Sequence, residues 1–183
     1  SRKQEIRSSK IELESKLQRD YEQNRPNWEK AMGLFNDNSL ALYAEPGSLI
    51  INTTASGYKF GVDIQKSGSE GVGKMKIFCY DLMLVDLMKE RKGIDFLFHD
   101  SGIYDGVDSR QRALALEHAH KQAVSKGFQY ICSLNSDMIP VDDFHDGFSL
   151  DEFVRLRLKD QDPADSVLGF HFEINEKPKP KKK

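Results

Sequence analysis

The apolar run Phe96–Phe98, together with the acid that follows it, constrains the fold more than any other part of the sequence. Such a run predicts a short strand that is buried on both faces, and strands of that kind belong to parallel sheets. Ligands bind α/β sheets at the carboxyl ends of the strands, and Asp100 lies at that end. The same carboxylate is equally suited to capping the next helix. We therefore predict an α/β fold with a parallel sheet and flanking helices.

Composition excludes several classes of protein. The 183 residues carry a net charge of −2, so no overall positive field points to nucleic acid. No apolar stretch is long enough to span a bilayer and no signal peptide is apparent, so we expect no membrane partner. Cys79 and Cys132 lie in apolar segments without metal-site spacing, which predicts buried free thiols. These features favour a cytoplasmic location.

The two ends of the chain differ from its middle. Residues 1–24 are polar, with Ile6, Leu13 and Leu17 near heptad spacing, and they predict the end of a coiled coil or a solvated helix. Residues 174–183 form a basic, low-complexity tail that we expect to be disordered. Residues 25–173 then form one globular lobe.

The order of elements within the lobe indicates the topology. We predict a helix from Pro26 to about Asn38, a hairpin with strands 49–52 and 58–64, a buried helix from Met75 to about Met88, and a helix that ends at Gly127. With strand 96–100 and strand 128–134, the order helix, strand, helix, strand predicts a parallel pair. Segments 154–158 and 167–172 are candidates for a second strand pair.

A small-residue segment precedes the buried helix and resembles a phosphate-binding loop. Residues 68–74 fit the Walker A pattern up to Lys74, but Met75 stands where a Ser or Thr should bind Mg²⁺. A second interpretation is the signature loop of ABC-type ATPases, whose serine donates to the γ-phosphate of ATP on a partner head. A third is a loop that only caps a helix. The candidate nucleotide-binding residues are Ser67, Gly68, Ser69, Gly71, Gly73 and Lys74.

Three segments are expected to meet at one edge of the sheet. They are 66–74, 100–108 and 135–137, and the last two follow neighbouring strands. A helix N-terminus offers backbone N–H groups to phosphate, while Asp100 and Asn135 lie nearby. This arrangement predicts a nucleotide site.

Together these blocks resemble the YydD-like family, a domain of unknown function at the C-terminal end of SMC/RecN-type ABC ATPases. Such proteins occur in bacterial ABC-three-component systems suspected of phage defence. The resemblance covers most of residues 30–172, and its motifs are 66–74, 78–82, 96–101, 104–108, Arg110-Gln111, 127–131 and 135–137.

The resemblance implies the C-terminal half of an SMC/ABC-type P-loop NTPase head, with residues 1–24 as a returning coiled coil. Asp100 would be the Walker B acid that holds Mg²⁺, and Asp105 and Asp108 would lie in the D-loop region. Asn135 would take the position of the switch histidine. The implied cofactors are ATP and Mg²⁺. The implied partners are an N-terminal Walker A lobe of the same protein, a second head, DNA and accessory subunits.

Two departures from the family pattern affect the expected chemistry. Ser101 replaces the glutamate that activates water, and Asn135 cannot carry a proton as histidine does. Hydrolysis is therefore expected to be slow, or to use Asp105 or Asp108. Two alternatives remain: a Mg²⁺-dependent phosphoesterase or nuclease that uses Asp100, Asp105, Asp108 and Asp137, and a non-hydrolysing interaction domain. His118 and His120 are expected on a helix surface.

The chain by itself should not hydrolyse ATP, because it lacks a complete phosphate loop with its Mg²⁺-binding hydroxyl. We expect no turnover above background in a phosphate-release assay of the purified chain. Robust turnover that Lys74→Ala abolishes would restore the Walker A interpretation.

Overall fold

The computed structural model describes residues 2–54, 56–65, 68–159, 162 and 165–169. It divides the chain into two compact units, residues 1–146 and 147–183. The predicted tail 174–183 and Ser67 lie outside the described residues. The helices and strands are α1 Arg2–Gln23, α2 Arg25–Tyr43, β1 Gly47–Thr54, β2 Gly57–Ile64, α3 Glu70–Lys92, β3 Phe96–His99, α4 Ser109–Lys126 and β4 Gln129–Cys132.

The predicted hairpin and parallel pair are both confirmed. Strands β1 and β2 pair antiparallel from Gly47 opposite Ile64 to Thr54 opposite Gly57. Strands β3 and β4 pair in parallel, with His99 opposite Cys132 at their carboxyl ends. The fold is thus a mixed α/β arrangement of four α-helices and two small sheets in the described residues.

The expectation that β3 is buried on both faces is wrong. His99 is buried toward the helices, but Phe96 and Phe98 point the other way and are 56% and 54% exposed. Ile131, opposite Phe98 on β4, is also exposed. We call Phe96, Phe98 and Ile131 the open sheet face. It is open because the helices in the described part of the chain cover only the opposite side of this sheet.

Helix α2 is longer than predicted and runs past Asn38 to Tyr43. Of the polar residues that suggested an end, Asn38 is buried and hydrogen-bonded inside the fold, as is the next residue, Ser39. The Asn38 amide donates to the carbonyl of Cys79 at 3.0 Å, and the Ser39 hydroxyl donates to the carbonyl of Glu45 at 2.8 Å. Tertiary contacts therefore overrode the local helix-ending signal.

The sequence suggested that helix α3 begins near Met75, but the helix begins at Glu70. Ser69 is its N-cap, and the Ser69 hydroxyl oxygen accepts a hydrogen bond from the backbone N–H of Val72 at 3.3 Å. Gly71, Gly73 and Lys74 consequently lie in the first turns of a helix rather than in a flexible loop. The helix ends at Gly93, as predicted, with a left-handed φ of 66°.

The core of the first unit is built around α3. Met75, Phe78 and Cys79 are completely buried there. Helix α4 contributes a face of small residues, which lets helices approach closely. Burial raises the pKa of the Cys79 thiol to about 12, in keeping with the expected inert, buried thiol. The remaining large core residues include Phe35, Leu42, Leu49, Ile51, Ile64 and Tyr104.

Helix α1 carries no buried residue within its described length. Ile6, Ile11 and Leu13 are exposed, and the Tyr58 hydroxyl of the hairpin donates to the carboxylate of Asp20 near the end of the helix. The helical prediction for residues 1–24 is correct, and the coiled coil stays a prediction. Among the described residues, no helix has the length and apolar character needed to cross a membrane.

The second unit has little regular structure in its described residues. The described residues include the short 3-10 turn Leu150–Phe153, and the rings of Phe148 and Phe153 stack at 5.7 Å. The predicted strand 154–158 is wrong, because these residues form no ladder. Residues 170–172 of its proposed partner lie outside the described residues.

Gly71→Ala should destabilise the fold because of one close backbone contact. A Cβ atom at position 71 would lie 2.4 Å from the carbonyl oxygen of Gly106 and 3.0 Å from the Cα of Val107. We expect a loss of about 1–3 kcal/mol in the free energy of unfolding, measured by urea denaturation.

Gly73→Ala is the matched control. It lies two residues further along the same helix and its Cβ would meet nothing within 4 Å. Because alanine favours helix over glycine, this change should be neutral or stabilise by up to about 1 kcal/mol. Equal losses for the two variants would contradict the proposed backbone contact.

Candidate functional site

An open pocket lies at the carboxyl end of β3. The first turns of α3 supply Lys74 and Ile77, β3 supplies Phe98 and His99, and the following turn supplies Asp100, Gly102 and Ile103. Two predicted site residues, Lys74 and Asp100, therefore line the same pocket. Its walls combine one positive side chain, one negative side chain and the exposed ring of Phe98.

Asp100 both caps a turn and faces solvent. Its Oδ1 accepts a hydrogen bond from the backbone N–H of Gly102 at 3.0 Å, which caps the 3-10 turn Ser101–Tyr104. The second oxygen makes no hydrogen bond to another described residue. Asp105 ends the same turn. Carboxylate oxygens of Asp100 and Asp105 lie 3.0 and 3.9 Å from the point where a Cβ of residue 102 would sit, so the two acids flank Gly102.

Ser101 and Asp108 have different surroundings from the two flanking acids. Ser101 is half-buried at the start of the turn. Asp108 is the N-cap of α4, and its Oδ1 accepts from the backbone N–H of Gln111 at 3.1 Å. This bond is a helix cap that needs no ligand. Arg110 lies 4.0 Å from the same oxygen.

Asn135 follows β4 at the same sheet edge. The backbone N–H of Ser133 donates to the carbonyl of His99 at 3.1 Å, which brings the two strand ends together. Asn135 is exposed, precedes the 3-10 turn Ser136–Met138 and makes no side-chain cap bond. The Asn135 amide nitrogen donates to the sulfur of Met138 at 3.9 Å, and the side chain lies at the edge where Asp100 lies.

The segments 68–74 and 100–108 also come together, as predicted. Gly71 is buried against Gly106 and Val107, so it serves close packing. Gly68 is exposed just before the Ser69 cap. The glycine pattern that resembles a phosphate loop is thus explained in part by the packing of a helix start on the loop after Asp100.

A buried polar network beneath the pocket was missed by the sequence analysis. His99 Nε2 lies 3.1 Å from Asp81 Oδ2, and His99 Nδ1 lies 2.9 Å from the Tyr130 hydroxyl. That hydroxyl is 2.7 Å from the hydroxyl of Tyr104. Burial raises the pKa of both tyrosines above their ordinary range. Period-two alternation in β3, which places His99 on the inner face, is the signal that could have found it.

Carboxylates do not form a metal cluster in the described part of the chain. No group of three or more His, Cys, Asp or Glu side chains is placed there to hold a metal ion. The four-acid site considered for a phosphoesterase is therefore not assembled among these residues. A single acid such as Asp100 still suits Mg²⁺ that is held mainly by nucleotide phosphates and water.

The sequence matches the model of a protein family described as an uncharacterised protein conserved in bacteria (DUF2326), over residues 38–172. The chain belongs to this family. No curated protein matches it. This match confirms the expectation of a bacterial domain of unknown function. The relation of this DUF2326 domain to SMC- and RecN-type ATPases stays a prediction.

His118 of the DUF2326 domain was expected on a helix surface, and that expectation is wrong. Its Nε2 lies 2.8 Å from Asn38 Oδ1. Because the amide nitrogen of Asn38 donates to Cys79, the Asn38 oxygen accepts here and His118 Nε2 is the donor. Burial, followed by the positive charge of Lys121, lowers the pKa of His118 to about 4.

The low pKa of His118 predicts a pH-dependent stability. The unfolded state takes up the proton near the ordinary pKa of 6.5, but the folded state does so only near 4. The free energy of unfolding should therefore fall as pH is lowered from about 6.5 to about 4, with little further loss from this group below that range. Urea denaturation across this range measures the effect.

His118→Gln should flatten the pH dependence, because glutamine can donate to Asn38 but does not titrate. The wild-type protein, measured in parallel over the same pH range, is the reference. An unchanged slope in His118→Gln would contradict the assignment.

Proposed function

We propose that this DUF2326 domain is the C-terminal lobe of an SMC/RecN-like ABC ATPase head. A lobe that carries a Walker A loop completes it, and two such heads bind and hydrolyse Mg·ATP when they associate. The observation that supports this proposal is the open sheet face, with Asp100 in a pocket at its carboxyl end.

The open sheet face favours a missing partner lobe. Parallel sheets are normally covered on both faces and rarely consist of two strands alone. Burying large apolar side chains such as Phe96 and Phe98 is worth about 1.5–3 kcal/mol each. A lobe that adds strands and covering helices to β3 and β4 would gain this free energy. It would also place its own strand ends beside Asp100 and Asn135.

The groups around the pocket suit phosphate and Mg²⁺. Asp100 retains one oxygen for a cation, and Lys74 provides a positive charge opposite it. Ser69 accepts from Val72 through its oxygen, which leaves its O–H free to donate to a phosphate. This last feature is what a signature serine requires. Neither Ser101 nor Asn135 can act as a general base, which agrees with slow hydrolysis.

The remaining parts of the proposal follow the family resemblance. The returning coiled coil would be α1, and the head would act on DNA in repair or phage defence, with accessory subunits, in the cytoplasm. The net charge of −2 supplies no general attraction for DNA, so we expect DNA contacts on other parts of the assembly.

Asp100→Asn should lower Mg·ATP turnover of the assembled head by at least about tenfold, because it removes the charge that holds the metal. The fold should persist, since asparagine caps a turn about as well as aspartate. The measurement is ATP hydrolysis and ATP-dependent head association in a complex that contains a Walker A lobe.

Asp95→Asn is the matched control, because Asp95 is exposed and lies at the amino end of the same strand. It should leave turnover and association unchanged. Equal activity of wild type and Asp100→Asn would refute the nucleotide role. Mg²⁺-dependent cleavage of DNA by the chain alone, lost in Asp100→Asn, would instead establish the phosphoesterase alternative.

A further inference from the structure

Four polar side chains tie together the elements that surround Asp100. Asp81 belongs to α3, His99 ends β3, Tyr130 belongs to β4, and Tyr104 ends the turn that follows Asp100. His99 is 6% exposed and Tyr104 is completely buried. Consecutive members of the chain lie 3.1, 2.9 and 2.7 Å apart. The Asp81 side chain at one end is 30% exposed, whereas His99 and Tyr104 are shielded from water, and hydrogen bonds between shielded groups hold their partners in one geometry.

For a neutral His99 ring, the chemistry of the four groups gives one consistent set of hydrogen-bond directions. A carboxylate only accepts, so His99 Nε2 carries the proton that is shared with Asp81. In the neutral imidazole Nδ1 then accepts, and the Tyr130 hydroxyl donates to it. The Tyr130 oxygen in turn accepts from Tyr104. With this neutral ring each polar atom that takes part has a partner, and reversing the bond between Tyr130 and His99 would leave two donors or two acceptors facing each other.

We propose that His99 is a positioning residue for Asp100, an inference that rests on the proposed nucleotide role of Asp100. His99 immediately precedes Asp100, and its ring is fixed from both nitrogens. The network therefore holds the carboxyl end of β3 against α3, and it holds Tyr104 at the far end of the turn that Asp100 caps. Through these two anchors it sets where the Asp100 carboxylate points.

The surroundings of the ring argue against a role in filling space alone. The ring of Phe78 lies 5.4 Å from that of His99 and 6.3 Å from that of Tyr130. Apolar side chains would pack against Phe78 without the cost of burying polar atoms. What polar groups add at this place is a fixed orientation of the strand end.

Amide hydrogen exchange gives a readout that does not depend on ATP. The N–H of Gly102 donates to Asp100 Oδ1, so its exchange rate reports how firmly Asp100 is held. Tyr130→Phe removes the hydroxyl in the middle of the network. We expect exchange at Gly102 to rise roughly three- to tenfold, as for loss of one buried hydrogen bond, while the amide of Leu116 in α4 is unaffected.

Two further variants make the test specific. Tyr104→Phe leaves the bond between Tyr130 and His99 in place, so it should raise the exchange rate at Gly102 by a smaller factor. It replaces Tyr130→Phe in the test if that variant does not fold. Tyr80→Phe is the control, because Tyr80 lies on α3 outside the network. In addition, ¹⁵N NMR of the wild-type protein should show His99 protonated at Nε2.

Coupling to Asp100 separates positioning from general stability. In the assembled head, Tyr130→Phe should weaken Mg·ATP-dependent association, and it should add little once Asp100→Asn is present. Three results would each overturn the proposal. They are unchanged amide exchange at Gly102, a His99 ring whose proton is on Nδ1, and a loss of association from Tyr130→Phe that is equally large in the wild-type and Asp100→Asn backgrounds. If exchange responds but Asp100→Asn has no effect on association, the positioning of Asp100 stands and the ATPase proposal fails.

Discussion

The burial of helix α3 is the constraint on which the rest of the first unit depends. Its residues Met75, Phe78, Cys79 and Leu82 are buried, and α2, α4, β2 and β3 all contact it. Because Gly71 and Val72 at its start are also buried, that start must fit against neighbouring backbone. The contact of Gly71 with Gly106 is the consequence, and it places the turn after Asp100 directly over the first turns of α3.

The same packing makes the small parallel sheet one-sided. Its inner face is filled by Leu97, His99, Tyr130 and the side chains of α3, whereas the outer face leaves large apolar groups in water. A sheet that packs against helices on one face and exposes large apolar side chains on the other is what half of a larger α/β body would look like. Exposed apolar surface of this kind is costly, and the partner lobe that we propose would cover it.

Buried polar groups give the core its specificity. Asn38 connects the carbonyl of Cys79 in α3 with His118 in α4, and His99 connects α3 with β4. Both links join elements that are distant in sequence, and both satisfy groups that would be costly to bury alone. The outcome is a core in which helix positions are fixed by directional bonds as well as by apolar contact.

The sequence by itself determined the features that depend on neighbouring residues. The hairpin, the parallel order of β3 and β4, the ends of α3 and α4 at Gly93 and Gly127, and the place of Asp100 after its strand all follow from local patterns. Only the tertiary structure decided that α2 continues through Asn38, that Phe96 and Phe98 face solvent, and that the half-buried ring of His118 bonds to Asn38. For Asn38 and His118 the deciding hydrogen-bond partner lies far along the chain. Periodicity and propensity describe the local conformation of a segment. Burial and the hydrogen bonding of its polar atoms depend on which other segments pack against it in the completed fold.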